Sequence, residues 1–156
     1  MAQKEVDWDL LFDKSISLLH NAADREEAMQ HICALLYHEV PHYDWVGFYM
    51  VDPLSKGQLV LGPYVGKPTE HTRIAFGEGI CGQAAETRKT FLINDVHTES
   101  NYLACSPTVQ SEIVVPIIRS DELIGEIDID SDTKNAMGVQ DRKLLEAMAK
   151  ELAKLF

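Results

Sequence analysis

Apolar side chains recur at helical spacing in three stretches of the chain, two near its start and one at its end. The first stretch covers residues 7–20 and the second covers residues 24–40. Each begins with an aspartate, Asp7 or Asp24, a residue type that favours the helix N-cap position. The third stretch places its apolar residues at helical spacing between positions 144 and 155. The pattern therefore predicts two helices before any strand and one amphipathic helix at the end.

Between these helices the pattern changes to short runs of β-branched, aromatic and aliphatic residues separated by turn residues. Six strands are expected, at residues 45–51, 58–62, 72–76, 90–94, 111–118 and 123–130. The first two and the last two form antiparallel hairpins, and a short helix lies between the third and fourth strands. The order αα-ββ-β-α-β-ββ-α predicts an α+β fold in which a central antiparallel sheet is backed by N- and C-terminal helices.

Length and composition are those of an ordinary globular protein. A chain of 156 residues can bury about two-thirds of its unfolded surface without disulfides or metals, so we expect one domain over residues 1–156. No apolar run approaches the roughly 18 residues of a membrane span. The three cysteines are an odd number at irregular spacing, and the first residues contain no apolar signal region. These features favour a reducing, cytoplasmic location.

The charge balance is acidic, with 14 basic and 25 acidic residues and a formal net charge of −11. Acids and bases are mixed along the chain rather than grouped in blocks. Binding to a phosphate backbone requires clustered basic side chains. Nucleic acid and anionic membranes are therefore not expected partners.

Two cysteines, Cys81 and Cys105, are candidates for a reactive thiol. Cys81 follows a glycine-rich turn that runs into a helix, so backbone N–H groups and the positive end of the helix dipole would lie near its thiol and lower the thiol pKa. Cys105 lies in a long loop ahead of Glu112, which begins an apolar strand. By residue type alone, each is more often incidental or a packing residue than redox-active. Cys33, on the apolar side of the second helix, is interpreted as core.

Two aspartates alternate with isoleucines near the end of the last strand, so Asp128 and Asp130 share one face. The ordinary interpretation is a solvated face of the sheet. If Glu112 on the adjacent strand points the same way, however, three carboxylates converge. Their mutual repulsion would then hold at least one of them protonated near neutral pH.

The sequence offers no local spacing typical of a metal or nucleotide site. CxxC and HxxxH pairs are absent, and His31 and Cys33 point to different sides of a helix. The glycine-rich turn before Cys81 lacks the Lys-Ser/Thr ending of a phosphate-binding loop. We therefore expect no metal, no nucleotide and no resident cofactor.

Several motifs together resemble one specific family, the free methionine-(R)-sulfoxide reductases, which are single-domain enzymes with the GAF fold. The similarity runs from about residue 35 to the C-terminus. It is carried by Trp45-Val-Gly-Phe-Tyr49, Leu61-Gly-Pro63, Arg73-Ile74, Gly77-x-Gly-x-Cys-Gly82, Asp95-Val-His97, Ala104-Cys105, Ser111-Glu-Ile-Val114 and Asp128-Ile-Asp-Ser131.

The resemblance implies reduction of free methionine-(R)-sulfoxide by thiols, with thioredoxin as the external reductant. It also implies the roles of the site residues. Cys105 and Cys81 would be the catalytic thiols, forming a sulfenate and then a disulfide, with Glu112 as catalytic acid. Trp45 and Tyr49 would bind the substrate together with Glu112, Asp128 and Asp130. Without the resemblance, a tryptophan such as Trp45 is more often a core residue than a ligand contact.

The chain departs from the family at position 71, where His71 stands in place of a third cysteine that the family usually carries shortly before Gly77. The sequence leaves open which of Cys81 and Cys105 attacks the sulfoxide and which resolves the sulfenate. It also leaves open whether the protein forms a homodimer. The rival interpretation is a non-catalytic GAF sensor that binds a small amino-acid-like ligand. A sensor would have no need of two thiols beside its ligand.

Overall fold

The computed structural model describes residues 5–103 and 107–156. The helices are α1 (Trp8–Asn21), α2 (Arg25–Glu39), α3 (Gly79–Thr87) and α4 (Val139–Ala153). The strands are β1 (Trp45–Val51), β2 (Gln58–Val65), β3 (Arg73–Ala75), β4 (Phe91–Ile93), β5 (Ser111–Arg119) and β6 (Glu122–Ser131), and a 3-10 helix covers Val96–Thr98. The predicted order of helices and strands is confirmed, with β2 three residues longer than the apolar pattern indicated.

The first two helices begin where their aspartates cap them. The Asp7 carboxylate accepts a hydrogen bond from the Leu10 N–H at 3.0 Å, and the Asp24 carboxylate accepts one from the Glu27 N–H at 2.8 Å. The Glu27 carboxylate in turn accepts from the Ala23 N–H at 2.6 Å. These bonds satisfy N–H groups that have no partner within the helix.

All six strands form one antiparallel sheet in the order β3-β2-β1-β6-β5-β4. The predicted hairpins are β1–β2 and β5–β6, and they join through the pairing of β1 with β6 at the centre of the sheet. The register of that pairing and of β5–β6 is continuous through the acidic positions of β6. This pairing determines which side chains of the two hairpins become neighbours.

The two faces of the sheet are covered differently. Helices α1, α2 and α4 pack on one face, where four buried isoleucines of β5 and β6 join the main apolar core, namely Ile113, Ile117, Ile127 and Ile129. The expectation that the terminal helices back the sheet is therefore confirmed. The short helix α3 packs on the other face, against β3, β5 and β6. Its apolar residues and part of β1 form a second, smaller core on that face.

Close contact between α3 and the chain before it depends on two glycines. Gly79, the first residue of α3, has a φ of +64°, a left-handed conformation that favours glycine. A Cβ atom on Gly82 would lie 2.5 Å from the Ala75 carbonyl oxygen and 3.0 Å from the Gly77 nitrogen. The glycine-rich turn thus lets α3 sit directly on the end of β3.

In the part of the chain that the structure describes, no helix combines the length and the apolar character needed to cross a bilayer.

Candidate active site

The strand register places the predicted acidic residues on the face that α3 covers. In the sheet Asp130 is paired with Trp45 on one side and Glu112 on the other. Asp128 lies two residues before Asp130 on β6 and is paired with Val114, a member of the core beneath α3. Because paired residues of an antiparallel sheet point to the same face, the predicted convergence of Glu112, Asp128 and Asp130 is observed.

A fourth carboxylate, Glu126, belongs to the same row and was missed from the sequence. It is paired with Tyr49 of β1 and lies two residues before Asp128 on β6. The signal was available, since Glu126, Asp128 and Asp130 alternate with Ile127 and Ile129. Extending the period-two pattern by one step would have included it.

These four carboxylates are buried rather than solvated. Glu126 and Asp128 have no exposed surface, Asp130 is 1% exposed and Glu112 is 3% exposed. Both carboxylate oxygens of Glu126 and of Asp128 lack a hydrogen-bond partner within residues 5–103 and 107–156. The ordinary interpretation of the alternation, a solvated face, is therefore wrong.

The thiol of Cys81, on α3, lies next to these carboxylates. It is the third residue of α3, so the positive end of the helix dipole lies beside it. Its Sγ lies 4.0 Å from Oε2 of Glu112, toward which the thiol donates. Cys81 Sγ, a Glu112 oxygen and an Asp128 oxygen all lie within 4.8 Å of one another. The thiol and the acids therefore form one buried polar cluster.

Burial changes the protonation of this cluster. It raises the pKa of Glu126 well above its usual range, and the nearby charge of Asp128 raises that pKa further, while the neighbouring Cys81 thiol opposes the shift. Burial likewise raises the pKa of Asp128, while the neighbouring Glu112 and Cys81 side chains oppose the shift. The sequence predicted a neutral acid through repulsion between carboxylates. Removal from water is the larger cause.

An aromatic wall borders the acids on β1. The ring of Trp45 is stacked with those of Tyr49 and Tyr64, at centroid distances of 6.3 and 5.3 Å. The Trp45 ring also lies over Gly47, where a Cβ atom would come within 2.4 Å of it. Trp45 Nε1 donates to the Lys67 carbonyl at 3.0 Å. Trp45 is thus a buried residue that also borders the acidic cluster.

Comparison with known proteins identifies the relatives of this chain. Residues 22–156 match the GAF domain family. The free methionine-R-sulfoxide reductase of Saccharomyces cerevisiae is 32% identical over 155 residues, covering 99% of this chain and 84% of the yeast protein. The chain belongs to the free methionine-R-sulfoxide reductase family of GAF domains.

Other relatives agree in fold. The protein YtsP of Bacillus subtilis is 39% identical over 151 residues, covering 97% of this chain and 91% of that protein. The structure of the free methionine-R-sulfoxide reductase of Neisseria meningitidis, in complex with its substrate, has a TM-score of 0.92 at 32% identity, covering 100% of this chain and 94% of that one. The α+β GAF fold expected from the resemblance is confirmed.

His71, at the position where the resemblance leads us to expect a third cysteine, lies at the edge of the acidic cluster. Its backbone carbonyl accepts a hydrogen bond from the Tyr49 hydroxyl at 2.8 Å. The residue also lines a small cavity of about 10 Å³, together with Cys81, Leu103 and Glu112. The position at which a third thiol was expected therefore borders the same cavity as Cys81 and Glu112.

The two remaining cysteines are Cys105 and Cys33. Cys105 lies outside the described residues, so its role as a catalytic thiol stays a prediction. Cys33, on α2, is fully buried on the opposite face of the sheet, in the core that α1, α2 and α4 cover. Its Sγ donates to the Pro63 carbonyl at 3.5 Å, and burial raises the pKa of its thiol. A protonated core thiol of this kind is unreactive.

Proposed function

We propose that this protein reduces free L-methionine-(R)-sulfoxide to methionine with its own thiols. The observation that carries the proposal is the convergence of the Cys81 thiol with four buried carboxylates beside an aromatic wall. Membership of the reductase family, and a relative of the same fold described in complex with its substrate, support it.

The first chemical step transfers oxygen from substrate to enzyme. A cysteine thiolate attacks the sulfoxide sulfur and forms a transient S–S bond, while a buried acid protonates the sulfoxide oxygen. The S–O bond of the substrate and this S–S bond then break as the oxygen moves to the cysteine sulfur, which leaves methionine and a cysteine sulfenic acid. The proton that the thiol gave up returns to the acid, so no net proton is consumed. Buried acids such as Asp128 and Glu126 hold protons within the cluster, and we assign to Glu112, whose Oε2 lies 4.0 Å from Cys81 Sγ, the transfer of a proton to the departing oxygen.

The second step closes a disulfide and releases water. The remaining thiol attacks the sulfenic acid sulfur, forming a bond between Cys81 and Cys105 while the hydroxyl leaves with the thiol proton. We assign the attack on the sulfoxide to Cys105 and the resolving step to Cys81. An external dithiol of the thioredoxin type then reduces the disulfide and returns both thiols.

The acids also explain why a free amino acid is the substrate. Four carboxylates are more than one sulfoxide oxygen can use, and a substrate ammonium would satisfy the surplus. A hydrogen bond between an ammonium and a buried carboxylate contributes roughly 1.5–3 kcal/mol, which is about tenfold to a hundredfold in affinity. A methionine sulfoxide within a polypeptide lacks this cation and would leave a buried carboxylate unpaired. Trp45 and Tyr49 provide an apolar wall for the methyl group and side chain.

The test is a thioredoxin-coupled assay that compares free methionine-(R)-sulfoxide with its N-acetyl form. We expect kcat/KM to be at least tenfold higher for the free substrate, and we expect Asp130→Asn to reduce that preference. Cys105→Ser should abolish turnover, and Cys81→Ser should stop it after one equivalent. Cys33→Ala, which removes a thiol from the opposite core, is the matched control and should keep its activity.

Three other results would count against the proposal or a part of it. Equal rates on the free and N-acetyl substrates would refute recognition of the ammonium group. Binding of the free amino acid without turnover by the fully reduced protein would instead indicate the sensor function. Full activity in Cys105→Ser combined with its loss in Cys81→Ser would reverse the two thiol roles.

A further inference from the structure

Three side chains from three different elements bring metal-ligating atoms together beneath α3. They are the thiol of Cys81 on α3 and the carboxylates of Glu112 on β5 and Asp128 on β6. One ligating atom of each lies within 4.8 Å of the others, and all three residues are buried. The Cys81 Sγ to Glu112 Oε2 distance is 4.0 Å. The cluster therefore offers one sulfur and two oxygens around a common point.

A second observation indicates that this point suits a cation. Both oxygens of Asp128 and both of the adjacent Glu126 lack a hydrogen-bond partner in the ranges that the structure describes. Neither side chain is exposed to water. Buried oxygens of this kind destabilise a protein unless something satisfies them. A positive ion held between the thiol and the acids would do so.

The ligand types and the space available favour one kind of ion. The cavity of about 10 Å³ beside Cys81 and Glu112 corresponds to roughly one water molecule. A thiolate with carboxylates is a ligand set for Zn²⁺, whereas Mg²⁺ and Ca²⁺ take oxygen ligands. Atoms bound to one tetrahedral Zn²⁺ lie roughly 3.5 Å apart. The three side chains would need to move together by only about 1 Å, a distance that side-chain torsions can supply.

We propose that Cys81, Glu112 and Asp128 form a binding site for a single Zn²⁺ ion, with Glu126 beside it as a further carboxylate. The site does not depend on the reductase activity. If the proposed function also holds, zinc would block turnover, because it would occupy the thiol and the acids that the substrate needs. The absence of a local metal-ligand spacing in the sequence does not bear on such a site, since its ligands come from residues far apart in the chain.

Zinc binding is tested on the full chain with reduced thiols, by competition with a chromophoric zinc indicator. We expect one Zn²⁺ per chain, and we expect Co²⁺ in its place to produce the ultraviolet absorption of a thiolate bound to cobalt. Cys81→Ser and Asp128→Asn should each weaken zinc binding at least tenfold, and Cys81→Ser should remove the cobalt–thiolate absorption. Mg²⁺ at the same concentration should not compete.

Three variants serve as controls that should bind zinc like the wild type. Cys33→Ala removes the thiol of the opposite core, Asp132→Asn removes an exposed carboxylate that follows β6, and Cys105→Ser removes the other thiol expected at the active site. Circular dichroism verifies that each variant is folded. Asp128→Asn, which keeps the shape of the side chain, decides the question if Cys81→Ser does not fold.

The proposal is overturned if the wild type binds no zinc, or if Cys81→Ser and Asp128→Asn bind it as tightly as the wild type. Loss of binding in Cys105→Ser alone would also overturn it, because the metal would then use the other thiol. Zinc binding by a protein without reductase activity would leave the metal site intact and refute only the proposed function.

Discussion

At the scale of single residues, the most unusual feature is a set of four carboxylates held out of water. Glu112, Glu126, Asp128 and Asp130 all lie on one sheet face under α3. A charged carboxylate loses far more hydration on burial than a neutral one, so burial favours the protonated form. For Glu126 and Asp128 the pKa is raised accordingly. The same burial lowers the stability of the protein at high pH.

Glu126 allows that effect on stability to be measured. Its pKa in the folded protein is raised, chiefly by burial. Between the ordinary glutamate pKa of about 4.3 and the folded value, the folded state binds more protons than the unfolded state. The free energy of unfolding therefore falls as the pH rises through this window. Glu126→Gln should be more stable than the wild type at neutral pH, by roughly 1–3 kcal/mol, with the difference shrinking toward pH ~4.

Urea unfolding with a chelator present, at mildly acidic and at neutral pH, measures this difference. Glu122→Gln is the matched control, because Glu122 is an exposed acid at the start of the same strand. It should show no comparable pH-dependent gain. A stability difference for Glu126→Gln that is the same at both pH values would contradict the prediction.

At the scale of secondary structure, the position of Cys81 depends on how closely α3 sits on the sheet. The Gly82 backbone lies against the Ala75 carbonyl and the Gly77 backbone. The Gly82 N–H donates to the Glu78 carbonyl at 2.9 Å, and the Gly77 N–H donates to the Gly82 carbonyl at 2.8 Å. Because these contacts involve backbone atoms, a larger side chain at position 82 cannot be accommodated by a change of rotamer alone.

Gly82→Ala should therefore move α3 and with it the Cys81 thiol. We expect a loss of roughly 1–3 kcal/mol in stability, as for an overpacked core site, together with reduced reductase activity. Gly138→Ala is the control, since a Cβ atom there meets nothing within 4 Å; alanine is a poorer N-cap than glycine, so the cost should be up to about 1 kcal/mol, but α3 and the reductase activity should be unaffected. Thermal unfolding and the coupled assay give both readouts. Wild-type stability in Gly82→Ala would show that α3 can shift without cost.

At the scale of the whole molecule, a hydrogen-bond network joins the last helix to the segment before β1. Asp141 in the first turn of α4 accepts from the Tyr43 hydroxyl at 2.7 Å and lies 2.8 Å from His42 Nε2. Its other oxygen accepts from the Gly138 N–H at 2.8 Å. Residues about a hundred positions apart in the chain are thus held together beside the main core.

This network predicts an acid-sensitive stability. Burial alone would raise the pKa of Asp141, but the hydrogen bonds from His42, Tyr43 and the Gly138 N–H, together with the charge of His42, outweigh burial and lower it. A lowered carboxylate pKa stabilises the fold above the unfolded value of about 3.9, and this stabilisation is lost as the pH falls through the folded pKa. Asp141→Asn should cost roughly 1–3 kcal/mol at neutral pH.

Chemical unfolding at neutral pH and below pH ~3 tests this expectation. The difference between wild type and Asp141→Asn should shrink at the lower pH. The matched control is Glu70→Gln, which alters an exposed carboxylate and should leave stability unchanged. A constant difference across the pH range would mean that packing at Asp141, rather than its charge, provides the stability.

The sequence alone determined the order and nature of the elements, because helical and strand periodicities are local properties of the chain. The caps at Asp7 and Asp24, the two hairpins and the face shared by Asp128 and Asp130 all follow from residues close together in sequence. The motifs around Trp45, Cys81 and Glu112 also sufficed to identify the family. The roles of Cys105 and of the external reductant stay predictions.

Only the tertiary structure decided what surrounds these residues. The pairing of β1 with β6 put Glu126 opposite Tyr49, and α3 closed over the acids to bury them. Protonation followed from that burial, since the pKa of an acid depends on whether water reaches it and not on its neighbours in sequence. The meeting of Cys81, Glu112 and Asp128 is equally invisible in the sequence, because each comes from a different element and only their packing makes them neighbours.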